Sequence, residues 1–198
     1  MKESIAKLKK ALHDADCILI GAGAGLSVAA GYDYTGARFL KYFADFHARF
    51  GIADIYSGGF YPFPSREIFW AWWSRSIYIN RYAPMPESDV YRNLLRLVEG
   101  RDFFVLTTNV DHAFQRTGFD KERLFYTQGD YGLFQSSRPA GASARKTYDN
   151  EKYVRAMLSR HRALRSRRMG RSSCPRAAHF GWRFRMSLSR TVPMTARR

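Results

Sequence analysis

The stretch that decides the fold is Cys17-Ile-Leu-Ile-Gly-Ala-Gly-Ala-Gly-Leu-Ser27, followed by Val28-Ala-Ala-Gly31. Cys17 to Ile20 is a short apolar, β-branched run that suits a buried strand. It leads directly into a small-residue loop and then into the start of a helix. Glycines let a backbone approach a ligand closely, and free amides at a helix amino terminus favour anionic oxygens, so this order can cradle a diphosphate. A tight turn with close strand–helix packing is the plainer explanation of the same glycines, and the loop alone does not choose between the two.

Two more apolar runs repeat the arrangement. Phe103-Phe-Val-Leu106 delivers Thr107-Thr108-Asn109-Val110-Asp111 at its carboxyl end, and Leu124-Phe-Tyr-Thr127 delivers Gln128-Gly-Asp-Tyr-Gly132. Open α/β sheets keep their ligand sites at the carboxyl ends of strands. Three strands that each end in small or polar residues predict half of a doubly wound sheet. Amphipathic helices are expected over Glu3–Ala15, with Ile5, Leu8 and Leu12 on one face, and over Val90–Val98, closed by Gly100. Residues 39–82 are rich in aromatics. Ile68 to Ile79 is apolar nearly all round, which predicts a buried helix, and Gly58-Gly59 with Pro62 and Pro64 marks a loop between two helices. This stretch reads as a helical insertion beside the sheet, packing core rather than ligand.

Length and composition set the outer bounds. The chain has 198 residues, 45% hydrophobic and 16% aromatic, which suits one packed domain and argues against wholesale disorder. No apolar run reaches the ~18 residues of a membrane span. Met1 to Lys10 lacks the apolar core of a secretory signal, so the cytoplasm is the expected compartment. The two cysteines, Cys17 and Cys174, exclude a disulfide scaffold and cannot by themselves make a four-thiolate zinc site.

The net charge of +16 is unevenly placed. Residues 1–151 hold 19 Lys and Arg against all 17 acidic residues, whereas 152–198 hold 14 Lys and Arg and no acid. The chain is therefore divided into 1–151, an incomplete nucleotide-binding domain, and 152–198, an arginine-rich tail. The tail has two readings. Clustered arginines with Trp182 and Phe184 among them could bind nucleic acid by phosphate neutralisation and base stacking. The favoured alternative is sequence read out of frame beyond about residue 158, without a defined fold.

Gly23-Ala-Gly-Leu-Ser27, Thr107-Thr-Asn-Val-Asp111 and Gln128-Gly129, in that order, resemble the sirtuin (Sir2) family of NAD-dependent enzymes. Tyr56-Ser-Gly-Gly-Phe-Tyr-Pro-Phe63, Ile77-Tyr-Ile-Asn-Arg81 and Tyr126-Thr-Gln-Gly-Asp-Tyr-Gly-Leu-Phe134 resemble its microbial, macrodomain-linked branch, class M. The resemblance covers about residues 5–155. It implies an α/β, partial Rossmann-like NAD-binding domain with a helical insertion, whose C-terminal half is absent. The activity implied is protein ADP-ribosylation with NAD as co-substrate, on a protein substrate such as a lipoylated glycine-cleavage H-like carrier. A macrodomain protein is the implied functional partner, and neither membrane nor nucleic acid is expected as one.

Position by position, the resemblance implies that Gly23, Ala24, Gly25 and Ser27 hold the diphosphate. Asp33 and Tyr34 would lie in a cofactor loop near the nicotinamide ribose, although Tyr32-Asp-Tyr-Thr-Gly36 departs from the family's Pro-Asp-Phe-Arg. Thr108, Asn109, Val110 and Asp111 would line the cofactor site, with Asn109 on the ribose and Asp111 on the nicotinamide carboxamide. Gln128 stands where most sirtuins carry a catalytic histidine. An amide cannot take up a proton near neutral pH as an imidazole can. Lysine deacylation needs a base to activate a ribose hydroxyl, while direct transfer to an ionised nucleophile does not. Gln128 therefore favours ADP-ribosyl transfer, with Asn109 and Gln128 as catalytic residues. The alternatives are an NAD-dependent protein-lysine deacylase and a non-catalytic, basic nucleic-acid-binding protein. Zinc is expected of the family, but its cysteines are not found: Ser136 and Ala140 stand where one pair belongs, and Cys174-Pro-Arg-Ala177 alone resembles the second.

Overall fold

The computed structural model describes residues 2–136, 146–167 and 184–185. Three parallel strands, β1 (Ile18–Ala22), β2 (Phe103–Thr107) and β3 (Leu124–Tyr126), form a sheet in the order β1-β2-β3. Ile18 pairs with Phe103, Ala22 with Thr107 and Thr107 with Tyr126, so all three carboxyl ends finish on one edge. The fold is α/β, as the apolar runs predict.

The runs read as strands buried on both faces, and only one face is. Phe103, Val105, Thr107 and Leu124 are buried, together with Tyr91 and Val98 of α6 (Val90–Val98) and with Ala113 and Phe114 of α7 (Ala113–Thr117). On the opposite face Leu19 is 68% exposed and Phe125 56%, with Phe104 and Leu106 also exposed. The amphipathic pattern of α1 (Lys2–Asp14) is equally unpartnered: the helix forms, yet none of its residues is buried and Ile5 and Leu8 face solvent. Periodicity specifies an apolar stripe but not the surface that covers it.

Between β1 and α6 lie α2 (Ala24–Ala29), α3 (Gly36–Phe50), α4 (Ile55–Gly59), α5 (Arg66–Ile77) and a π-helical turn, Tyr78–Tyr82. Their aromatic side chains make a second core around Trp72, whose ring centroid is 4.2 Å from that of Phe43 and 5.1 Å from that of Phe46. Gly58 and Gly59 are not loop residues as the sequence suggests. They end α4, which Asp54 starts by accepting from the Ser57 amide at 2.7 Å. A Cβ on Gly58 would stand 2.0 Å from the Trp72 ring, so close helix approach, not chain reversal, accounts for this glycine.

A smaller antiparallel sheet follows, β4 (Leu133–Ser136) paired with β5 (Thr147–Asp149) on one side and β6 (Phe184–Arg185) on the other. Helix α8 (Glu151–Arg167) packs on α5, with Val154 fully buried beside Ile77 and Phe134. The change of composition at 151/152 thus falls inside one packed helix. The β6 strand joins the small sheet rather than the parallel one. The rest of the tail, including Cys174 and Trp182, lies outside the described residues.

Candidate functional site at the carboxyl ends of the strands

Parallel pairing brings the loops after β1, β2 and β3 together. The Thr108 amide donates to Ala22 O at 3.1 Å and the Thr127 amide to Thr107 O at 2.9 Å, tying the loops at their roots. In the first loop, a Cβ added at Gly21 or Gly25 would meet no atom within 4 Å, and one at Gly23 would only touch Thr108 Oγ1 at 3.5 Å. Internal packing therefore does not require these glycines. They leave an open approach to the backbone at the start of α2, where Ala24 and Gly25 are exposed.

Ser27 is completely buried and forms the junction of the site. Its hydroxyl donates to Asp111 Oδ2 at 2.5 Å and accepts from Asn109 Nδ2 at 3.0 Å. The Tyr91 hydroxyl lies 3.0 Å from the same oxygen. Because the one Ser27 proton goes to Asp111, Tyr91 is the donor in that pair. Asn109 Nδ2 also donates to Gly23 O at 3.0 Å, and the Asn109 amide to Thr107 Oγ1 at 3.0 Å. The Asn109 side-chain amide is thereby fixed between the glycine loop and the β2 loop. Its carbonyl oxygen, which no described residue engages, is left free to accept from a ligand hydroxyl. Asp111 is 3% exposed and its Oδ1 accepts from the Ala113 amide at 2.9 Å. Each carboxylate oxygen retains a lone pair for a further donor. Burial, reinforced by the Asp111 charge, raises Tyr91 well above the ordinary tyrosine range, so it stays a neutral donor.

The structure joins Gly23, Ser27, Asn109 and Asp111, which the sequence singles out, and adds Tyr91, which it does not. In an amphipathic helix a lone tyrosine at core spacing carries no signal of a buried hydroxyl aimed at a site. Val110 enters through its backbone, accepting from the Tyr131 amide at 2.9 Å, and Thr108 is exposed at the rim. Asp33 is exposed, and its Oδ1 accepts from the Thr35 amide at 3.0 Å and the Thr35 hydroxyl at 2.9 Å. It shapes the turn into α3 here. Tyr34 is partly buried, and burial followed by the Asp111 charge pushes it up to about 12. Gln128 is exposed and makes no hydrogen bond to described residues, so it borders the network without belonging to it.

A second cluster lies beside Gln128. Asp130, 6% exposed in its side chain, accepts from Arg81 Nε of the π-helical turn at 3.1 Å and from the Gly132 amide at 2.6 Å, and also pairs with His112 Nδ1. Burial alone would raise this carboxyl, but the His112 contact, the Gly132 amide and the Arg81 charge bring it below its ordinary value. His112 has φ 64°, the only positive φ outside glycine among the described residues. Asp130 thus clamps the β2 loop to the helical insertion, a long-range link that no local pattern announces.

No zinc site of the kind the family resemblance implies is formed among the described residues. Among the described residues no three His, Cys, Asp or Glu side chains are grouped to hold a metal, and Cys17 is a lone exposed thiol. Among the described residues no helix is long and apolar enough to cross a membrane. A hollow of about 650 Å³, lined in part by Arg101, Asp102 and Arg123, opens at the amino-terminal ends of the strands. That is the opposite edge from the one where α/β sheets bind ligands, and the Ser27–Asn109–Asp111 junction is the better site on chemical grounds.

No family model matches the chain. It is 37% identical over 151 residues to a protein ADP-ribosyltransferase of Staphylococcus aureus, a match covering 76% of this chain and 47% of that protein. It is 35% identical over 135 residues to a probable bifunctional ADP-ribose hydrolase/ADP-ribosyltransferase of Fusarium oxysporum f. sp. cubense, covering 67% of this chain and 22% of the relative. A solved structure on the basis of sirtuin substrate affinity superposes with a TM-score of 0.50 at 18% identity, over 77% of this chain and 57% of that one. The fold is one shared with that sirtuin structure. Both sequence relatives carry ADP-ribosyltransferase in their names, and the chain spans about half the length of the first of them and about a fifth of the second.

Proposed function

We propose that this chain carries the NAD site of a sirtuin-type protein ADP-ribosyltransferase. One observation supports the reading above the others: Ser27, Asn109 and Asp111 meet in one buried network at the carboxyl edge of the sheet, beside an open glycine loop. NAD would bring an ADP-ribosyl group whose glycosidic bond to nicotinamide is the one broken in transfer. The backbone of Gly23–Gly25 would hold the diphosphate. Asn109, pinned by Gly23 and Ser27, would present its free carbonyl oxygen to a ribose hydroxyl without reorganising. Asp111 would accept from the nicotinamide carboxamide. Gln128, exposed at the mouth, would offer hydrogen bonds but no titratable group, which favours transfer to an already ionised nucleophile over deacylation. The acceptor fitting this reading is a protein such as a lipoylated carrier of the glycine-cleavage H type, with a macrodomain protein as functional partner. The test is transfer of labelled ADP-ribose from NAD to that carrier, run beside NAD-dependent deacylation of an acetyl-lysine peptide. Label on the carrier with no deacylation is expected. Deacylation without transfer would overturn the assignment.

A further inference from the structure

His112 lies between Asp111 and helix α7, and its backbone is strained: φ is 64°, a region that glycine takes at no steric cost. The turn closes around it, because Asp111 Oδ1 accepts from the Ala113 amide at 2.9 Å. Its ring is pinned as well. Nδ1 pairs with Asp130 Oδ2, while Oδ1 of that carboxylate accepts from Arg81 Nε at 3.1 Å and from the Gly132 amide at 2.6 Å. The Tyr131 amide donates to Val110 O at 2.9 Å and holds the two loops together at this point. His112 thus stands on the β2 loop next to Asp111, and its partner Asp130 stands on the β3 loop two residues beyond Gln128. Holding the loops needs only a donor to Asp130. An asparagine would take this φ and offer its side-chain amide in place of Nδ1, so the clamp alone does not call for an imidazole.

What the imidazole adds is a second ring nitrogen. Nε2 bonds to no described residue, and the His112 side chain is 27% exposed where that of Asp130 is 6% exposed. Burial opposes the charge on Asp130, yet the His112 contact, the Gly132 amide and Arg81 keep its carboxyl below the ordinary value. An ionised carboxylate has no proton to give, so Nδ1 carries the hydrogen of this pair, and in the neutral ring Nε2 is a bare acceptor. A base whose far nitrogen is oriented by a buried carboxylate is the arrangement that activates nucleophiles on unrelated folds. The other charged groups here are engaged elsewhere. Arg81 is held by Asp130, Arg116 of α7 donates to Arg81 O at 3.2 Å and Ala83 O at 3.0 Å, and Asp111 accepts from Ser27 and the Ala113 amide. Transfer requires an ionised nucleophile, and the Gln128 amide cannot generate one.

We propose that His112, oriented by Asp130, is the base that removes the proton from the acceptor side chain in ADP-ribosyl transfer. The inference rests on the NAD reading above, and the test separates the two. In the step, His112 Nε2 takes the acceptor's proton and the acceptor atom bonds to the anomeric carbon of the ribose. The glycosidic bond breaks, its electron pair passes to the nicotinamide nitrogen, and nicotinamide leaves neutral. The proton on Nε2 is then lost to water. The test compares the whole chain with its His112→Asn variant, which keeps the turn and the donor to Asp130 but has no titratable nitrogen. Melting temperature, NAD affinity by NMR titration and the pH profile of ADP-ribose transfer to the lipoylated carrier are measured for both, and the ring nitrogens of the parent are observed by NMR. The neutral ring is expected to carry its proton on Nδ1, with melting temperature and NAD affinity unchanged by the substitution. Transfer should fall about 10²-fold near neutral pH, the scale of losing a general base, and the deficit should shrink at alkaline pH as the acceptor ionises in solution. Transfer within about twofold of the parent, a loss equal at every pH, or a neutral ring protonated on Nε2 would overturn the role of His112 and leave the NAD site standing. A fall in melting temperature together with loss of NAD would make His112 a structural residue and overturn the inference. A parent chain that binds NAD without transferring would overturn the inference alone, and one that does not bind NAD would overturn the NAD reading with it.

Discussion

At the scale of single residues, Asn109 and Gln128 make opposite demands on the fold. Asn109 Nδ2 bonds to Gly23 O and Ser27 Oγ, so Asn109→Ala is expected to cost about 1–3 kcal/mol of stability. It should also cut transfer by about 10²-fold, the scale of losing one preorganised polar group. Gln128 is exposed and has no hydrogen-bond partner among the described residues, so Gln128→Ala should leave the melting temperature within about 2 °C of the parent while weakening transfer. Normal transfer by that variant would remove Gln128 from the chemistry. Gln128→His should raise deacylation relative to transfer by supplying a titratable base, as paired assays would show. Asp130 gives a pH prediction. Its carboxyl is lowered in the folded state, so its contribution is fully present above the unfolded value of about 3.9 and is lost as pH falls through the folded value. Asp130→Asn should flatten the acid limb of a stability–pH curve below about pH 4.

At the scale of elements, the strands and most helices were legible because an apolar run bounded by glycines and a stripe at helical spacing are local signals. β1, β2 and β3 and the order of their polar ends follow from them. Contacts across the fold were not legible. Tyr91 reads as helix core, yet its hydroxyl completes the Ser27 junction 64 positions away. Arg81, Asp130 and His112 sit in or beside motifs that stand out in the sequence, but only the fold pairs them. Gly58 shows the same limit, since a glycine pair in sequence signals a turn and here marks helix contact. Gly58→Ala should push against the Trp72 ring and destabilise by about 2–3 kcal/mol, the scale of overpacking a core. Gly25→Ala, where a Cβ meets nothing, should spare stability in the same denaturation experiment and weaken NAD binding instead.

For the whole molecule, two apolar surfaces remain open among the described residues: the α1 stripe, and the sheet face bearing Leu19, Phe104, Leu106 and Phe125. A doubly wound sheet covers both faces, and a bare apolar face favours association. Sedimentation should show concentration-dependent association of the chain, relieved by Phe125→Lys, whose position faces away from the described core. The central claim, however, is that the three strand ends form one nucleotide site, and amide chemical-shift mapping on addition of NAD tests it most directly. The account predicts shifts concentrated at Gly23–Ser27, Thr108–Asp111 and Gln128–Gly129. Shifts grouped around Arg101, Asp102 and Arg123 at the opposite edge of the sheet, or no shifts at millimolar NAD, would contradict it.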